Sequence, residues 1–363
     1  MEQPFPELEY LELRTDTADM ASGLPDSFLG GSAPCLEELK LAGVPFPALR
    51  KLLLASPDGP DLQTLCLLFM PDSGYIRPNT MLACLSALSR LEELGIEFYS
   101  PTARLRRRKI RPPRRRKRVF LPVLRRFMFS GSSGYVEHLL SWIDAPLIRS
   151  LVITLFEEPT YDTPQLARLI SCTPMFEAPV EARVFIEDSA IRVIIPSSKR
   201  AVDTEAIMVQ IFCREVDRLL WSLAQLCSSA LPCLSMVEHF YICEGEEPLL
   251  HWPDNVENTR WWDLLRQFTA LKNLYLSKAF APRIAPALQE LFREGVTEVL
   301  PKLQNIFLED VQPSDPDKTT NWQFVAGCYV DSHPIAVAHW DRGLCTWKED
   351  DHPFFDTDAS DSD

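Results

Sequence analysis

The chain has 363 residues, of which 46% are hydrophobic, and a formal net charge of -14 at pH 7. That is enough apolar material for a large core, built as one array or as two closely joined parts. No apolar stretch approaches the roughly 18 residues that a membrane span needs, and Met1–Pro6 has neither the basic region nor the apolar run of a secretion signal. The segment Arg104–Arg118 holds 11 of the 37 Lys and Arg residues, leaving 26 against 51 acidic residues elsewhere. That balance argues against nucleic-acid binding by the body of the fold. The 10 cysteines form no Cys-x-x-Cys pair. Cys66, Cys84, Cys172, Cys227 and Cys233 sit among apolar neighbours, as expected for reduced, buried thiols of an intracellular protein, cytoplasmic or nuclear.

In chain order, one phrase keeps returning: Pro-x-Leu-x-x-Leu-x-Leu. It is spelled Pro6, Leu8, Leu11, Leu13, then Pro34, Leu36, Leu39, Leu41, then Pro60, Leu62, Leu65, Leu67. A version without proline follows at Leu91, Leu94 and Ile96, then Pro122, Leu124, Phe127, Phe129 and Pro146, Ile148, Leu151, Ile153. The leading positions lie 28, 26, 29, 33 and 24 apart. The phrase resumes at Leu271, Leu274, Leu276 and at Pro301, Leu303, Ile306, Leu308. Leu-x-Leu puts two apolar side chains on one face of a strand, and the upstream leucine tucks beneath it. No single copy buries that face alone, so the period predicts stacking. The expected fold class is α/β: a leucine-rich-repeat-like solenoid, parallel strands on one side and helices on the other, irregular in the middle.

Between these strands the spacing predicts helices: a short one within Pro47–Ala55 (Leu49, Leu52, Leu53 inward) and one over Asn79–Leu88 after Pro78. Val136, Leu139, Leu140 and Ile143 form a further stripe, and Asp162 or Thr163 can cap a helix opening at Pro164. Residues 180–196 alternate (Val184, Ile186; Ile191, Val193, Ile195) and read as two strands, a hairpin or a pair of edge strands. A longer helix follows over Val216–Cys227, and a stretched copy of the phrase runs over Pro232–Ile242. Trp262, Leu265 and Phe268 share one helix face, with one of Trp261 and Trp262 in the core and the other half-exposed. Pro286 suits the first position of a last helix carrying Leu288, Leu291 and Phe292. The expected organisation is a repeat array over 1–345, with a basic disordered insert at 102–118 and an irregular part at 177–230. An acidic disordered tail occupies 346–363.

The chain has no Gly-x-x-x-x-Gly-Lys-Ser/Thr, Gly-x-Gly-x-x-Gly, His-Glu-x-x-His or Gly-x-Ser-x-Gly. Cys233, His239, Cys243 and His251 match no standard zinc spacing. No catalytic residue, cofactor or metal site is therefore expected. In each strand the residue between the two inward ones points away from the core. Glu12, Lys40, Cys66, Gly95, Met128 and Val152 are thus the candidate face for reading an unknown protein partner. Arg106, Arg107, Arg108, Lys109, Arg114, Arg115, Arg116, Lys117 and Arg118 read either as a solvated loop outside the stack or as a nuclear-localisation run. Without interleaved aromatics to stack bases, direct nucleic-acid contact by that run is the weakest of its readings.

The wording of several segments resembles the leucine-rich region of the lineage-expanded F-box-like proteins of mushroom-forming fungi. These segments are Leu24-Pro-Asp-Ser-Phe-Leu-Gly-Gly-Ser-Ala-Pro34, Phe46-Pro-Ala-Leu49, Asp144-Ala-Pro146, Asp162-Thr-Pro-Gln-Leu-Ala167 and Glu257-Asn-Thr259. Leu274-Tyr-Leu-Ser-Lys278, Phe280-Ala-Pro-Arg-Ile-Ala-Pro-Ala-Leu-Gln-Glu290 and His333-Pro-Ile-Ala-Val337 add to them. The resemblance implies a substrate-recognition region of the kind that serves SCF-type ubiquitin ligases. It implies no catalytic residues. Two departures stand out: the repeats begin directly after Met1 with no F-box, and the arginine run is extra. Without the F-box, binding to the SCF adaptor does not carry over. The expectation is a non-enzymatic protein-interaction module. The alternatives are a truncated relative with no retained function and an enzyme whose site carries no recognisable motif.

Overall fold

A computed structural model describes residues 5–15, 23–25, 27–31, 33–54, 61–99, 118–156, 161–196, 206–213, 216–245, 258–294, 299–309 and 335–340. The first part of the chain gives strands β1 (Tyr10–Arg14), β2 (Glu38–Ala42), β3 (Thr64–Met70) and β4 (Glu93–Phe98). After these come β5 (Val119–Phe120), β6 (Arg126–Gly131), β7 (Ile143–Asp144) and β8 (Ser150–Leu155). Helices α1 (Leu49–Leu53), α2 (Pro78–Leu85) and α3 (Ser133–Leu140) lie between them, and α4 (Pro164–Cys172) follows. The second part gives β9 (Glu181–Ile186), β10 (Ala190–Pro196), β11 (Ala206–Phe212), α5 (Val216–Ala230) and β12 (His239–Glu244). It ends with α6 (Asn258–Leu265), β13 (Asn273–Leu276), α7 (Ala281–Glu294), β14 (Asn305–Glu309) and β15 (Ala336–Trp340).

The protein is mixed α/β, with one large, mostly parallel sheet and a layer of helices. Thirteen strands join in the order β1-β2-β3-β4-β6-β8-β11-β10-β9-β12-β13-β14-β15, and β5 pairs with β7 in a separate two-stranded sheet. The repeated phrase explains the register. Leu11, Leu39, Leu65, Leu94, Phe127 and Leu151 are successive partners across β1 to β8, as are Leu13, Leu41, Leu67, Ile96, Phe129 and Ile153. From β2 onward these side chains are almost wholly buried, each worth about 1.5–3 kcal/mol relative to exposure. On β1, at the end of the sheet, Leu11 and Leu13 are only half-buried.

Just before β2, β3, β4, β6 and β8, two successive N–H groups donate to one carbonyl of the preceding repeat. Glu37 and Glu38 bond to Glu9, Gln63 and Thr64 to Glu37, and Glu92 and Glu93 to Gln63. Arg125 and Arg126 then bond to Glu92, and Arg149 and Ser150 to Arg125. A second series links Val180, Glu238, Lys272 and Gln304 in the same way, with Ala336 last. Turns stacked like this satisfy backbone groups that would otherwise be orphaned under the sheet.

The two series meet at β9–β11, inside the stretch 177–230 read as irregular from the sequence. β10 runs antiparallel to both β9 and β11, while β11 is parallel to β8 and β9 is parallel to β12. The hairpin read from residues 180–196 exists, but it lies inside the sheet and not at an edge. Strand β11, with Ile207, Val209 and Ile211 inward and buried, fills the gap between β8 and β10, and Ile191, Val193 and Ile195 of β10 are buried on the same side.

Each helix packs on the next, from α1 through α7. Three local readings need correction. Ile143 belongs to β7 and not to the α3 stripe. The opening turn of α4 has no side-chain bond from Thr163; instead, both carboxylate oxygens of Glu137 on α3 accept from the N–H groups of Gln165 and Leu166 at 2.9 Å. Helix α7 begins at Ala281, with Pro286 inside it. The N–H of Ala281 donates to the Ser277 carbonyl, which starts the helix a turn earlier than the proline suggested. Trp261 is fully buried, and Trp262 is half-buried with its indole N–H on the Ala287 carbonyl at 3.0 Å. The expected acidic tail at 346–363 lies outside the described residues, as do Arg106–Lys117; Arg118 is described and exposed.

Candidate protein-recognition face

The sheet face away from the leucines carries a transverse row of partners with no break. It runs Glu12, Lys40, Cys66, Gly95, Met128, Val152, Met208, Ile194, Arg183, Tyr241, Tyr275, Phe307, Ala338. All six candidates from the sequence occupy consecutive places in this row. They differ in access. Glu12, Lys40 and Val152 are half-buried, whereas Cys66 is 0% and Met128 6% exposed. Gly95 is buried too: a Cβ built on it would lie 3.3 Å from both Cys66 Sγ and Met128 Cε, so those two side chains close over it. With Ala42, Leu68 and Val152 they form a small second apolar cluster on this face. Burial pushes the Cys66 thiol up to about 12, which keeps it protonated and unreactive at neutral pH.

Charge on the β1–β6 stretch is largely paired within the face. Glu12 takes bonds from Tyr10 and Arg14, Lys40 pairs with Glu38 at 3.4 Å, and Arg126 pairs with Glu93. Burial works against ionisation of Glu12, but Tyr10 and Arg14 outweigh it and hold the carboxyl below its usual value. The same bond to Glu12 raises the Tyr10 phenol to about 12.

The β12–β15 stretch is built from aromatic rings. Tyr241 and Tyr275 stack at 4.1 Å with 11° between planes, and Tyr275 and Phe307 at 4.5 Å with 8°. The Trp340 indole meets Tyr241 and Tyr275 edge-on at 5.9 and 5.7 Å, and its N–H donates to the Leu276 carbonyl at 3.1 Å. At the β9 side, the Arg183 guanidinium sits 5.6 Å from the Tyr241 ring centre. In the neighbouring row of the same face, Asn305 donates to Asn273 at 2.7 Å, and Asn273 contacts His239 at 3.2 Å. The sequence reading missed these residues, although its own rule finds them. Tyr241, Tyr275 and Phe307 sit between the inward pairs Phe240/Ile242, Leu274/Leu276 and Ile306/Leu308.

Among the described residues no group of three or more His, Cys, Asp or Glu could hold a metal ion. His251 lies outside them, and the described Cys233, His239 and Cys243 are not gathered into such a group. Cys84, Cys227 and Cys233 are buried, with their thiols raised by desolvation, but Cys172 is exposed. No described helix is long and apolar enough to cross a membrane.

No protein-family model matches the chain, and no curated protein matches it. Among solved structures, it is similar to the leucine-rich repeat-containing protein LegL7 from Legionella pneumophila. That likeness has 15% identity and covers 80% of this chain and 90% of that one, with a TM-score of 0.25. At that TM-score it carries no argument, and the architecture rests on the strand register itself.

Proposed function

We propose that this chain is a non-enzymatic protein-interaction module, a leucine-rich-repeat-like solenoid that reads its partner with the sheet face opposite the helices. The observation that carries this reading is the thirteen-place row, one continuous register in which half-buried charged residues at the β1–β2 end and half-buried aromatic rings at the β12–β14 end flank a largely buried apolar stretch. Such a surface suits extended contact with a protein, since aromatic anchors flanked by polar groups are the usual energetic centres of interfaces. The array occupies residues 1–345 in this reading, with the basic insert and acidic tail outside the stack. The resemblance to F-box-like proteins supplies the sharper version: choice of substrates for an SCF-type ubiquitin ligase.

The test is affinity capture from the source organism, comparing three baits. One is the native chain, one is Lys40→Glu/Tyr275→Ala on the open face, and one is Ser86→Lys at the end of α2. Partners held by the native and Ser86→Lys baits but lost by the face variant support the reading. Equal retention by all three overturns it. Recovery of a ubiquitin-ligase adaptor with its cullin supports the sharper version.

A further inference from the structure

Strands β3 and β4 pair residue for residue up to Leu67 and Ile96, and the next matched pair is Met70 with Phe98. Leu68 and Phe69 therefore both stand opposite Glu97, as a β-bulge. Phe69 takes a φ of 50° there, a conformation that a bulky side chain rarely adopts, and it is 39% exposed. Tyr99, 67% exposed, lies two residues beyond Glu97 and so on the same side of the strand. An outlying backbone angle at a bulge, with two aromatics left in solvent, is a combination found at binding sites.

Glu97 itself is the anomaly. It is half-buried on the open face, between Leu68 and Phe69 on one side and buried Ser130 on the other. Across the sheet its row runs Arg14, Ala42, Leu68, Glu97, Ser130, Thr154, Gln210, Arg192. No other charge stands between the two end arginines. Glu12, Glu38 and Glu93 on neighbouring positions all have cationic partners, but Glu97 has no hydrogen bond or ion pair among the described residues. Loss of water alone lifts its carboxyl to about 7. A carboxylate that is partly desolvated and has no cationic partner among the described residues gains when something cationic reaches it.

We propose that Glu97 anchors a docking site for a lysine or arginine side chain on an extended segment of a partner protein, with Phe69 and Tyr99 flanking that side chain. This rests on the open face being the recognition surface and names the chemistry at one place on it. Charge complementarity selects the occupant. A neutral donor would leave the negative charge uncompensated, whereas a cation offsets it and also gains from nearby aromatic rings.

The full-length protein is probed with degenerate dodecapeptides whose fixed central residue is Arg, Lys, citrulline, norleucine or Glu. The native chain is expected to favour the Arg and Lys pools by about tenfold over citrulline and norleucine. Glu97→Gln is expected to erase that preference while unfolding at a temperature no lower than the native chain. The site is overturned if the native chain shows no such preference, or if Glu97→Gln keeps it. Peptide binding lost in Tyr275→Ala with the cation preference untouched by Glu97→Gln sinks the site but leaves the recognition face standing. A preference that emerges only when residues 104–117 are replaced by Gly-Ser repeats makes the chain's own basic run the occupant and overturns a separate partner.

Discussion

The two ends of the open face put very different chemistry into the same slot between paired inward residues. Over β1–β6 the slot holds Glu12, Lys40, Cys66, Gly95 and Met128, with ion pairs at one margin and a small dry cluster closing over glycine. Over β12–β14 it holds Tyr241, Tyr275 and Phe307, whose rings stack on each other, with buried Trp340 meeting Tyr241 and Tyr275 edge to face. The first end gains little from its ion pairs, because pairs that water still reaches are worth roughly 0–1 kcal/mol. At the second end the aromatic contacts add about 0.5–1.5 kcal/mol per pair beyond the area they bury. The same geometric rule thus yields a face whose ion-paired β1–β2 margin is energetically cheap to alter and whose aromatic end also holds the fold together.

The largest expected effect follows from that contrast. Tyr275→Ala removes the middle ring of the stack and should cost about 2–3 kcal/mol, read as a lower urea midpoint at unchanged slope. Lys40→Ala, at the other end, should cost less than about 1 kcal/mol. Equal costs would erase the distinction between the two ends.

Glu97 is the next largest, and it acts through pH. Its carboxyl ionises at about 7 in the folded chain against roughly 4.3 in an unfolded one. The folded state therefore holds the proton more tightly, and its stability falls as pH rises through that window. Glu97→Gln should be more stable than the native chain by about 1–3 kcal/mol at pH 8, with the difference vanishing below pH ~4. A pH-independent difference between the two proteins would remove Glu97 as an unpaired carboxylate.

Much of the architecture was legible because the strand phrase recurs along the sequence. Leu39/Leu41 or Phe127/Phe129 declare their own inward face, and a fixed phrase declares its neighbour. The order β8-β11-β10-β9-β12 was not legible, because it depends on which distant segments share a hydrogen-bond ladder. Ala206–Phe212 does alternate, with Ile207, Val209 and Ile211 inward, but apolar Met208 between them blurs the period. The outward slot was readable as a direction, not as exposure: nothing local to Cys66 or Gly95 says that Met128, two strands or one strand away, will lean over them. Glu97 was invisible for the same reason. Its isolation exists only once Leu68 and Ser130 are known to flank it.

A smaller effect tests how the aromatic end is held shut. The Trp340 N–H reaches over β14 to the Leu276 carbonyl on β13. Trp340→Phe keeps a ring over Tyr275 but loses that bond, which should cost about 1 kcal/mol. If instead it costs as much as Tyr275→Ala, the indole and not the stack is the keystone of that end.

The smallest effect, with opposite sign, belongs to the bulge. Phe69 adopts a φ of 50°, and glycine would enter that region without the Cβ penalty. Against this, glycine enlarges the unfolded ensemble, which works in the other direction. Phe69 is 39% exposed, so its ring gives up only part of the area that a core phenylalanine would lose. The balance favours Phe69→Gly by about 0.5 kcal/mol, measurable by denaturant melts of the two proteins side by side. A stabilised variant that binds Arg-centred peptides more weakly would mean that the strained residue is kept for contact with a partner. If Phe69→Gly is destabilising, its ring is packing against the β3–β4 end of the face, and the strain there is offset within the fold itself.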